Sequence, residues 1–307
     1  MVRDETGHHA PWLVILNPRS GTASVDTARR AIADRKASGE LDEYELKEGD
    51  DLHAVVREAL GRGVRLVVAA GGDGTVSSVA DVLAGTDASL AIFPMGTTNV
   101  LAREMGLPVE PDGTSPLPAA ALLDHPESIA RIDAMKVAGH HYFTQVGVGI
   151  DALMIRDTKD GAKRMFGRAA YLWTAFGQLL GFQPRRFTIT ADDRTLVVRA
   201  SEIVVANVGM LGQPPYRWGP GIRPDDGRLS ICIVRARNLW HYAQLFWMVA
   251  RGRHNESPHI RYVESRKTIS IASEKPLPVQ ADGEIIGETP VRIELVPAAL
   301  RLVVPKP

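Results

Sequence analysis

The fold is decided by residues 64–75, which read VRLVVAAGGDGT. The apolar run from Val64 to Ala70 has no polar face, which is typical of a strand buried on both sides of a sheet. A glycine-rich segment, Gly71 to Thr75, follows at once, and a helical pattern runs from about Val76 to Leu83. A strand that enters a helix through such a turn predicts the βα unit of a parallel sheet.

The same alternation continues on both sides of this segment. Strands are predicted at 12–16, 41–46 and 90–93, and helices at 24–37 and from Asp50 or Asp51 to Leu60. This order predicts a parallel sheet with helices on both faces over about residues 10–130. In such sheets ligands bind beyond the carboxyl ends of the strands.

After Arg131 the pattern changes to short strands, which predicts a second domain over residues 131–290. A hairpin is expected from 131–137 and 142–148, around the turn at 138–141. Only two helical stretches interrupt this half, at about 162–180 and 239–251. The other strands that we predict are 186–190, 195–199, 202–207, 229–235, 268–272 and 291–296. We expect a mostly antiparallel β-sandwich.

Composition excludes several classes of protein. The chain has 307 residues, 45% of them hydrophobic and 23% charged, with a formal net charge of zero. This balance supports packed cores and argues against a nucleic-acid partner. The single cysteine, Cys232, excludes an internal disulfide and fits a reducing cytoplasm. No apolar run approaches the length of a membrane span, and the polar N-terminus lacks a signal-peptide core. We therefore expect a cytoplasmic protein.

Three polar loops each follow a predicted strand. They are Asn17-Pro18-Arg19-Ser20-Gly21, then Gly71-Gly72-Asp73-Gly74-Thr75, then Pro94-Met95-Gly96-Thr97-Thr98-Asn99. Glycines allow several backbone N–H groups to point at one place, and a following helix adds its positive end, which together form a phosphate cradle. The alternatives are a tight connection for the second loop and a helix N-cap at Thr98 or Asn99 for the third.

These three loops, in this order and spacing, resemble the diacylglycerol kinase catalytic family, which includes bacterial lipid kinases, sphingosine kinases and ceramide kinases. The likeness continues through 147–151, 225–229 and Asp282-Gly283-Glu284, and so covers nearly the whole chain from Trp12. It implies a nucleotide-binding α/β domain like that of NAD kinase and phosphofructokinase. It also implies that residues 291–307 return to this first domain.

The resemblance implies an ATP- and Mg²⁺-dependent kinase that phosphorylates a lipid hydroxyl. Glu284 matches the family's proton acceptor, and Asp73 could orient the hydroxyl or hold the catalytic magnesium through water. Asp282 is a further candidate catalytic residue, although Asp282-Gly283 could be only a hairpin turn. Which of Asp73 and Glu284 is the main base stays open. The nucleotide-binding residues that the likeness implies are Asn17, Pro18, Arg19, Ser20, Gly21, Gly71, Gly72, Asp73, Gly74, Thr75, Gly96, Thr97, Asn99 and Gly283.

Further residues are assigned by the same likeness, each with an ordinary alternative. Asp226, with carbonyls near Arg223 and Arg228, matches a structural magnesium site, although a hairpin turn explains the segment too. The basic residues Lys163, Arg164 and Arg168 match phosphate contacts, or else form a solvated helix face. Asp151 could bind the polar head of the lipid, or cap the segment that follows.

Two aromatic-rich helices, 162–180 and 239–251, suggest a surface for lipid. Their aromatic side chains could line an acyl pocket or touch the membrane interface, although such stripes more often pack in a core. We expect a lipid substrate and a transient, peripheral contact with the membrane, and the sequence leaves a homodimer open.

Two rival functions remain at this point. A related kinase with a soluble acceptor, such as NAD, would share the Gly-Gly-Asp-Gly segment. A non-catalytic sensor of lipid or nucleotide would keep the cradle without turnover. The aromatic helices and the Asp282-Gly283-Glu284 segment favour the lipid kinase, and the sequence does not identify which lipid is used.

Overall fold

The computed structural model describes residues 12–20, 25–109, 117–125, 128–150, 152–153, 184–212, 216–219, 221–253 and 256–306. The chain divides into two compact units. Unit 1 consists of Met1–Ala134 with Pro297–Pro307, and unit 2 of Met135–Val296. None of the described helices has the length and hydrophobicity of a membrane span.

Unit 1 is built on a parallel sheet with the strand order β2-β1-β3-β4-β16. Its described elements in chain order are β1 (Trp12–Leu16), α1 (Val25–Ala37), β2 (Leu41–Glu45), α2 (Leu52–Gly61), β3 (Leu66–Gly71), α3 (Asp73–Leu83), β4 (Ser89–Pro94), α4 (Val100–Glu104), α5 (Leu117–Ala120) and a 3-10 turn (Ala121–Asp124). Strands β5 (Ile129–Val137) and β16 (Val291–Val303) each have one end in this unit.

The core of unit 1 explains why its strands carry no polar face. Every residue of β1, β3 and β4 is buried. Alternate side chains such as Val14, Val68 and Phe93 pack with Ala28 and Ile32 of α1. Helix α3 contacts β3 and β4 through its own buried face. The sheet is therefore covered on both sides, and the ends of its strands are the places left for loops.

Unit 2 contains two sheets of antiparallel strands. Its described elements are β6 (His140–Tyr142), β7 (Gln145–Gly149), β8 (Arg185–Ala191), β9 (Arg194–Ala200), β10 (Glu202–Ala206), β11 (Leu229–Val234), α6 (Leu239–Ala250), β12 (Ile260–Ser265), β13 (Thr268–Ser273), β14 (Pro278–Ala281) and β15 (Glu284–Glu288). One sheet has the order β12-β11-β10-β7-β14-β15, and the other runs β16-β13-β8-β9.

The two sheets of unit 2 face each other across one apolar core. Val148, Val205 and Ile231 come from the first sheet, and Phe187 and Ile271 from the second. This confirms the predicted β-sandwich. On the outer side of the first sheet Cys232 packs with Val204 and Ile222, and burial raises the pKa of its thiol to about 12. The thiol is therefore an inert core group.

Helix α3 begins at Asp73, three residues before the predicted start at about Val76. The three glycines and the acid at 71–74 suggested a loop, because glycine is a poor helix former. In the structure Gly72 is the N-cap, and its carbonyl accepts the Val76 N–H at 3.1 Å. An acid in the first helical turn is favoured by the helix dipole. The polar residues of this segment thus belong to the helix itself.

The predicted hairpin partner at 142–148 is two strands. The turn at Ala138-Gly139 joins β5 to β6, as expected, but β6 ends at Tyr142 and β7 pairs in the other sheet. Three strands were not predicted at all: β12, β14 and β15. Strands β12 and β15 are the two edges of their sheet. Edge strands carry charge, so their apolar pattern is weak.

Candidate active site

The three polar loops meet at the carboxyl ends of β1, β3 and β4 in unit 1. The contact between the second and third loops is made by two glycines. A Cβ built on Gly96 would lie 2.6 Å from the Cα of Gly72, closer than real Cβ atoms approach backbone. A Cβ built on Gly71 would lie 2.6 Å from the Thr75 side chain. Gly96 therefore requires glycine because its backbone touches that of Gly72, and Gly71 because the Thr75 side chain fills the space beside it.

The first loop is joined to the second by side-chain hydrogen bonds. Asn17 donates through Nδ2 to the Thr75 hydroxyl at 2.8 Å, and the Ser20 hydroxyl lies 3.5 Å from the same oxygen. Asn17 also accepts the Arg19 N–H through Oδ1, which shapes its own turn. Pro18 and Arg19 are exposed. The buried Thr75 side chain therefore links the first loop to α3.

Asp73 connects α3 to the third loop. Its carboxylate accepts the Asn99 N–H at 3.0 Å and the Val100 N–H at 2.6 Å, at the start of α4. Asn99 occupies the N-cap position with a left-handed backbone, φ 50°. Its side chain bonds both the N–H and the carbonyl of Gly96, so the capping carboxylate is that of Asp73. The expected N-cap is present, but another loop supplies its side chain.

Together these contacts form a rim of backbone groups. Gly74 and Thr97 are exposed, whereas Gly96 and Asn99 are buried beneath them. The N–H groups of the first turn of α3 have no intrahelical partners, since a helix leaves its first N–H groups unpaired. Such a helix end, approached by glycine backbone on one side, can hold a phosphate. The sequence-predicted residues of all three loops are thus brought to one edge of the sheet.

The segment Asp282-Gly283-Glu284 lies in unit 2, where it closes the hairpin of β14 and β15. Asp282 and Gly283 have φ values of 45° and 88°, the pair that a tight two-residue hairpin turn requires. The Gly283 N–H donates to Gln280 Oε1 at 3.0 Å. Glu284 begins β15 and is exposed. The turn therefore presents a solvated carboxylate on a rigid hairpin.

Asp282 accepts four hydrogen bonds within unit 2. They come from the N–H groups of Phe143, Thr144 and Gln145, at 3.0 to 3.1 Å, and from the Thr144 hydroxyl at 2.5 Å. This is the point where the chain leaves β6 for β7 and changes sheets. The carboxylate therefore accepts hydrogen bonds from the backbone N–H groups at the crossing between the two sheets. A catalytic role for Asp282 stays a prediction, and its geometry is that of a residue that positions the Glu284 hairpin.

Sequence patterns missed the residues that surround this turn. Asn207 is fully buried, and its Nδ2 donates to the Phe143 carbonyl at 2.8 Å. Gln145 accepts through Oε1 from the Trp218 indole at 2.7 Å. Both support the segment that Asp282 binds. A buried amide at the end of an apolar strand, as in Asn207, was the signal that could have indicated them.

The segment predicted to bind a structural magnesium ion is already neutralised by its own arginines. Asp226 accepts the Arg228 N–H at 3.0 Å, and its other oxygen lies 3.5 Å from the Arg228 guanidinium. Arg223 forms two hydrogen bonds of 2.9 Å to Asp225, and these lower the pKa of that carboxyl. The magnesium site at Asp226, with the carbonyls near Arg223 and Arg228, stays a prediction, and in this structure its carboxylate faces Arg228.

Helix α6 presents part of its aromatic stripe to solvent. Trp240 is 76% exposed and Trp247 57%, and the Arg251 guanidinium stacks over the Trp247 ring at 4.1 Å. The spacing of seven residues puts both indoles on one side of the helix. For these two side chains, packing in the core is the wrong interpretation.

Several predicted residues lie outside the described part of the chain. They are Gly21, Asp151, Lys163, Arg164 and Arg168, together with the first aromatic-rich helix at 162–180.

Comparison with known proteins identifies the family to which each half of the chain is similar. Residues 11–137 match the diacylglycerol kinase catalytic domain family. Residues 144–304 match the family described as YegS C-terminal NAD kinase beta sandwich-like domain. The boundary between these matches falls within β5 to β7, where the structure passes from unit 1 to unit 2.

Two curated relatives match over nearly their full length. A "Probable lipid kinase YegS-like" of Xanthomonas campestris is 33% identical, covering 96% of each chain. A "Diacylglycerol kinase" of Mycobacterium tuberculosis is 31% identical, covering 95% of this chain and 94% of the other. A solved diacylglycerol kinase from Bacillus anthracis has the same fold, with a TM-score of 0.72 at 23% identity over 96% and 97% of the two chains. This chain therefore belongs to the diacylglycerol kinase catalytic family of lipid kinases, together with the YegS-like members.

Proposed function

We propose that this kinase transfers the γ-phosphate of Mg-ATP to a hydroxyl group of a membrane lipid. The observation that carries the proposal is the meeting of three glycine-containing loops at one edge of the parallel sheet, with the backbones of Gly72 and Gly96 in contact. Phosphoryl transfer depends mainly on positioning and charge stabilisation, so a rigid cradle of N–H groups supplies what the reaction needs.

In this proposal the nucleotide phosphates bind at the N-terminus of α3. The N–H groups of Asp73, Gly74 and Thr75 would donate to phosphate oxygens, and the helix dipole would favour their charge. Thr75, held by Asn17 and Ser20, fixes the floor of the cradle. Thr97 stands exposed on the third loop, where its hydroxyl can add a further hydrogen bond.

Magnesium, when bound with the nucleotide, would neutralise charge that develops on the phosphates. Asp73 is the residue of the cradle that fits this ion. A carboxylate oxygen suits a hard cation such as Mg²⁺, either directly or through a bound water. The hydrogen bonds to Asn99 and Val100 also fix the direction of the carboxylate before any ligand binds.

Glu284 is proposed as the group that accepts the proton of the lipid hydroxyl. Its support is its position: it is exposed, and it follows a hairpin turn whose preceding carboxylate is held by four hydrogen bonds. A general base must be held in place but open to its substrate. Glu284 meets both conditions within unit 2.

The lipid substrate requires an approach to the membrane, and α6 supplies a surface for it. Tryptophan prefers the headgroup region of a bilayer, where its ring is apolar and its N–H is wet. Trp240 and Trp247 are exposed on one side of α6, and Arg251 beside Trp247 adds a positive charge. We therefore propose a peripheral, reversible contact with the lipid surface through this helix.

The test is a kinase assay with γ-labelled ATP and magnesium, using diacylglycerol, sphingosine, ceramide and phosphatidylglycerol in mixed micelles, and NAD as a soluble acceptor. We expect label in one lipid and a rate that falls about 10²- to 10⁴-fold in Glu284→Gln, since that is the usual contribution of a general base. The matched control is Glu288→Gln, an exposed carboxylate at the other end of β15.

Label in NAD alone would overturn the choice of a lipid acceptor. An equal loss of rate in Glu288→Gln and Glu284→Gln would contradict the assignment of Glu284 as the general base.

The membrane contact has its own test. Trp240→Ser/Trp247→Ser should reduce sedimentation with vesicles, while Tyr216→Ser, which alters another exposed aromatic side chain, should not. Unchanged sedimentation of the double variant would show that α6 is not the contact.

A further inference from the structure

A cleft in unit 2 has the features of a binding site that the proposed kinase reaction does not use. It has a volume of about 850 Å³ and lies between the β8–β9 hairpin and β12. Pockets for small ligands usually have roughly 300 to 1,000 Å³. Strands β9 and β12 are the edges of the two sheets, so the cleft is the open side of the sandwich.

The cleft has an apolar floor. Leu196 pairs with Ile189 across the hairpin, and both line the cleft together with Val263 of β12. Ile189 is buried in the core of the sandwich, and Leu196 and Val263 are partly buried against it. The floor is therefore an extension of the core that is left uncovered where the two sheets separate.

Three arginines surround this floor. Arg194 pairs with Ala191, whose side chain belongs to the core, so Arg194 is on the inner face of β9. Arg261 is two residues from Val263 and shares its face of β12, because side chains alternate along a strand. Arg266 follows β12 directly, and all three line the cleft. Two facing sheet edges thus direct guanidinium groups to one space.

The charges of these arginines are not compensated within the described part of the chain. None of the three side chains forms a hydrogen bond or an ion pair there. Arg29, Arg223 and Arg253, by contrast, all bind carboxylates. The two acids of the cleft are engaged elsewhere. Glu264 pairs with Arg228, and Asp192 accepts hydrogen bonds from Ser265 Oγ and from three consecutive N–H groups at 266–268.

Asp192 also makes the closed end of the cleft rigid. Burial raises the pKa of its carboxyl, but the four hydrogen bonds lower it more, to about 2. The β8–β9 turn is thereby tied to the connection between β12 and β13. A site with one fixed end, apolar walls and an excess of guanidinium groups is preorganised for a ligand that has both an anionic and an apolar part.

We infer that this cleft binds an anionic amphiphile, namely a lipid with a phosphate headgroup. The guanidinium groups of Arg194, Arg261 and Arg266 hold the phosphate, since arginine forms paired hydrogen bonds to phosphate oxygens. Leu196, Ile189 and Val263 contact the first carbons of the chains. The site differs from the nucleotide cradle, which lies in unit 1, and its ligand is bound without reacting.

The experiment measures binding to the full chain by isothermal titration calorimetry, without ATP. The probes are short-chain phosphatidic acid below its micelle concentration, phosphatidylcholine of the same chain length, and inorganic phosphate. The cleft variant is Arg194→Gln/Arg261→Gln. The control is Arg186→Gln/Arg199→Gln, which removes two exposed charges from the same hairpin at directly opposed positions on its other face.

We expect phosphatidic acid to bind the native chain more tightly than either other probe. The cleft variant should lose about tenfold or more in affinity, because hydrogen bonds to charged groups contribute about that much each. The control should change by no more than about twofold, the range of exposed charges. Equal loss in both variants would reduce the effect to general charge attraction, and phosphate binding as tightly as phosphatidic acid would overturn the lipid assignment.

Discussion

Asp73 and Asp282 have the same local role in two units of different architecture. Asp73 accepts the N–H groups of Asn99 and Val100, and Asp282 accepts those of three residues at 143–145. Asp73 joins two loops that the parallel sheet already brings to one edge. Asp282 binds the segment 143–145, where the chain passes from one sheet to the other. No sequence periodicity predicts the position of such a crossing. Asp73 therefore stabilises a site whose loops the parallel sheet already brings together. The position of the Glu284 hairpin, in contrast, depends on the hydrogen bonds of Asp282.

The largest effect is expected at the glycine contact of unit 1. Gly96→Ala would place a methyl group 2.6 Å from the Gly72 Cα, and backbone cannot yield as a side chain can. Such overpacking costs about 1–3 kcal/mol and displaces the second loop, so we expect ATP-dependent turnover to fall about 100-fold. Turnover and nucleotide binding would be measured together.

Gly61→Ala is the matched control, because a Cβ at the end of α2 meets nothing within 4 Å. Native turnover in Gly96→Ala would show that the two loops do not need their backbone contact, and the contrast with unit 2 would disappear.

A smaller effect is expected for Asp282→Asn. The new amide would turn an N–H donor toward at least one of the backbone N–H groups that the carboxylate now accepts. We expect the free energy of unfolding to fall by about 1.5–3 kcal/mol, the usual value of hydrogen bonds to a charged group. Urea denaturation would measure it, with Glu288→Gln as the control on the same hairpin. Unchanged stability together with lost turnover would instead assign Asp282 to the chemistry.

Asp192 is a third carboxylate that accepts backbone N–H groups, and its contribution to the stability of the fold should depend on pH. Its pKa is about 2 in the folded chain, against 3.8 for the ordinary group, so the ionised form stabilises the fold. This contribution is complete above pH 3.8 and is lost as the pH falls toward 2. The stability difference between the native chain and Asp192→Asn should therefore shrink between pH 5 and pH 2.5. A difference that stays constant over this range, in urea titrations at both pH values, would contradict the assigned role.

The smallest effect is expected for Thr75→Val. Valine keeps the shape but removes the oxygen that accepts from Asn17 at 2.8 Å. One neutral hydrogen bond contributes about 0.5–1.5 kcal/mol, so nucleotide affinity should weaken about two- to tenfold. Thr86→Val, at a distant turn of the same unit, is the control; its hydroxyl bonds the Leu83 carbonyl. Equal affinity in the two variants would show that the first loop does not depend on Thr75.

The amino-acid pattern alone predicts the parallel sheet and the place of its loops. The apolar runs of β1, β3 and β4 have no polar face because they are buried on both sides, and parallel topology then brings their carboxyl ends to one edge. The motifs at Asn17, Gly71 and Gly96 can therefore be assigned to one site from the sequence. The sandwich class of the second half followed from the spacing of its short strands.

The side chains that hold these parts together are visible only in the folded protein. That Asp73 caps α4, that Asp282 binds the crossing between sheets, and that Arg194 and Arg261 face one cleft are contacts between residues 26 to 139 positions apart in the chain. Local propensity and periodicity report on neighbours within a few turns or strands, and they contain no information on such pairs. The exposure of Trp240 and Trp247 was decided in the same way, because a helical stripe looks alike in sequence whether its partner is a core or a membrane.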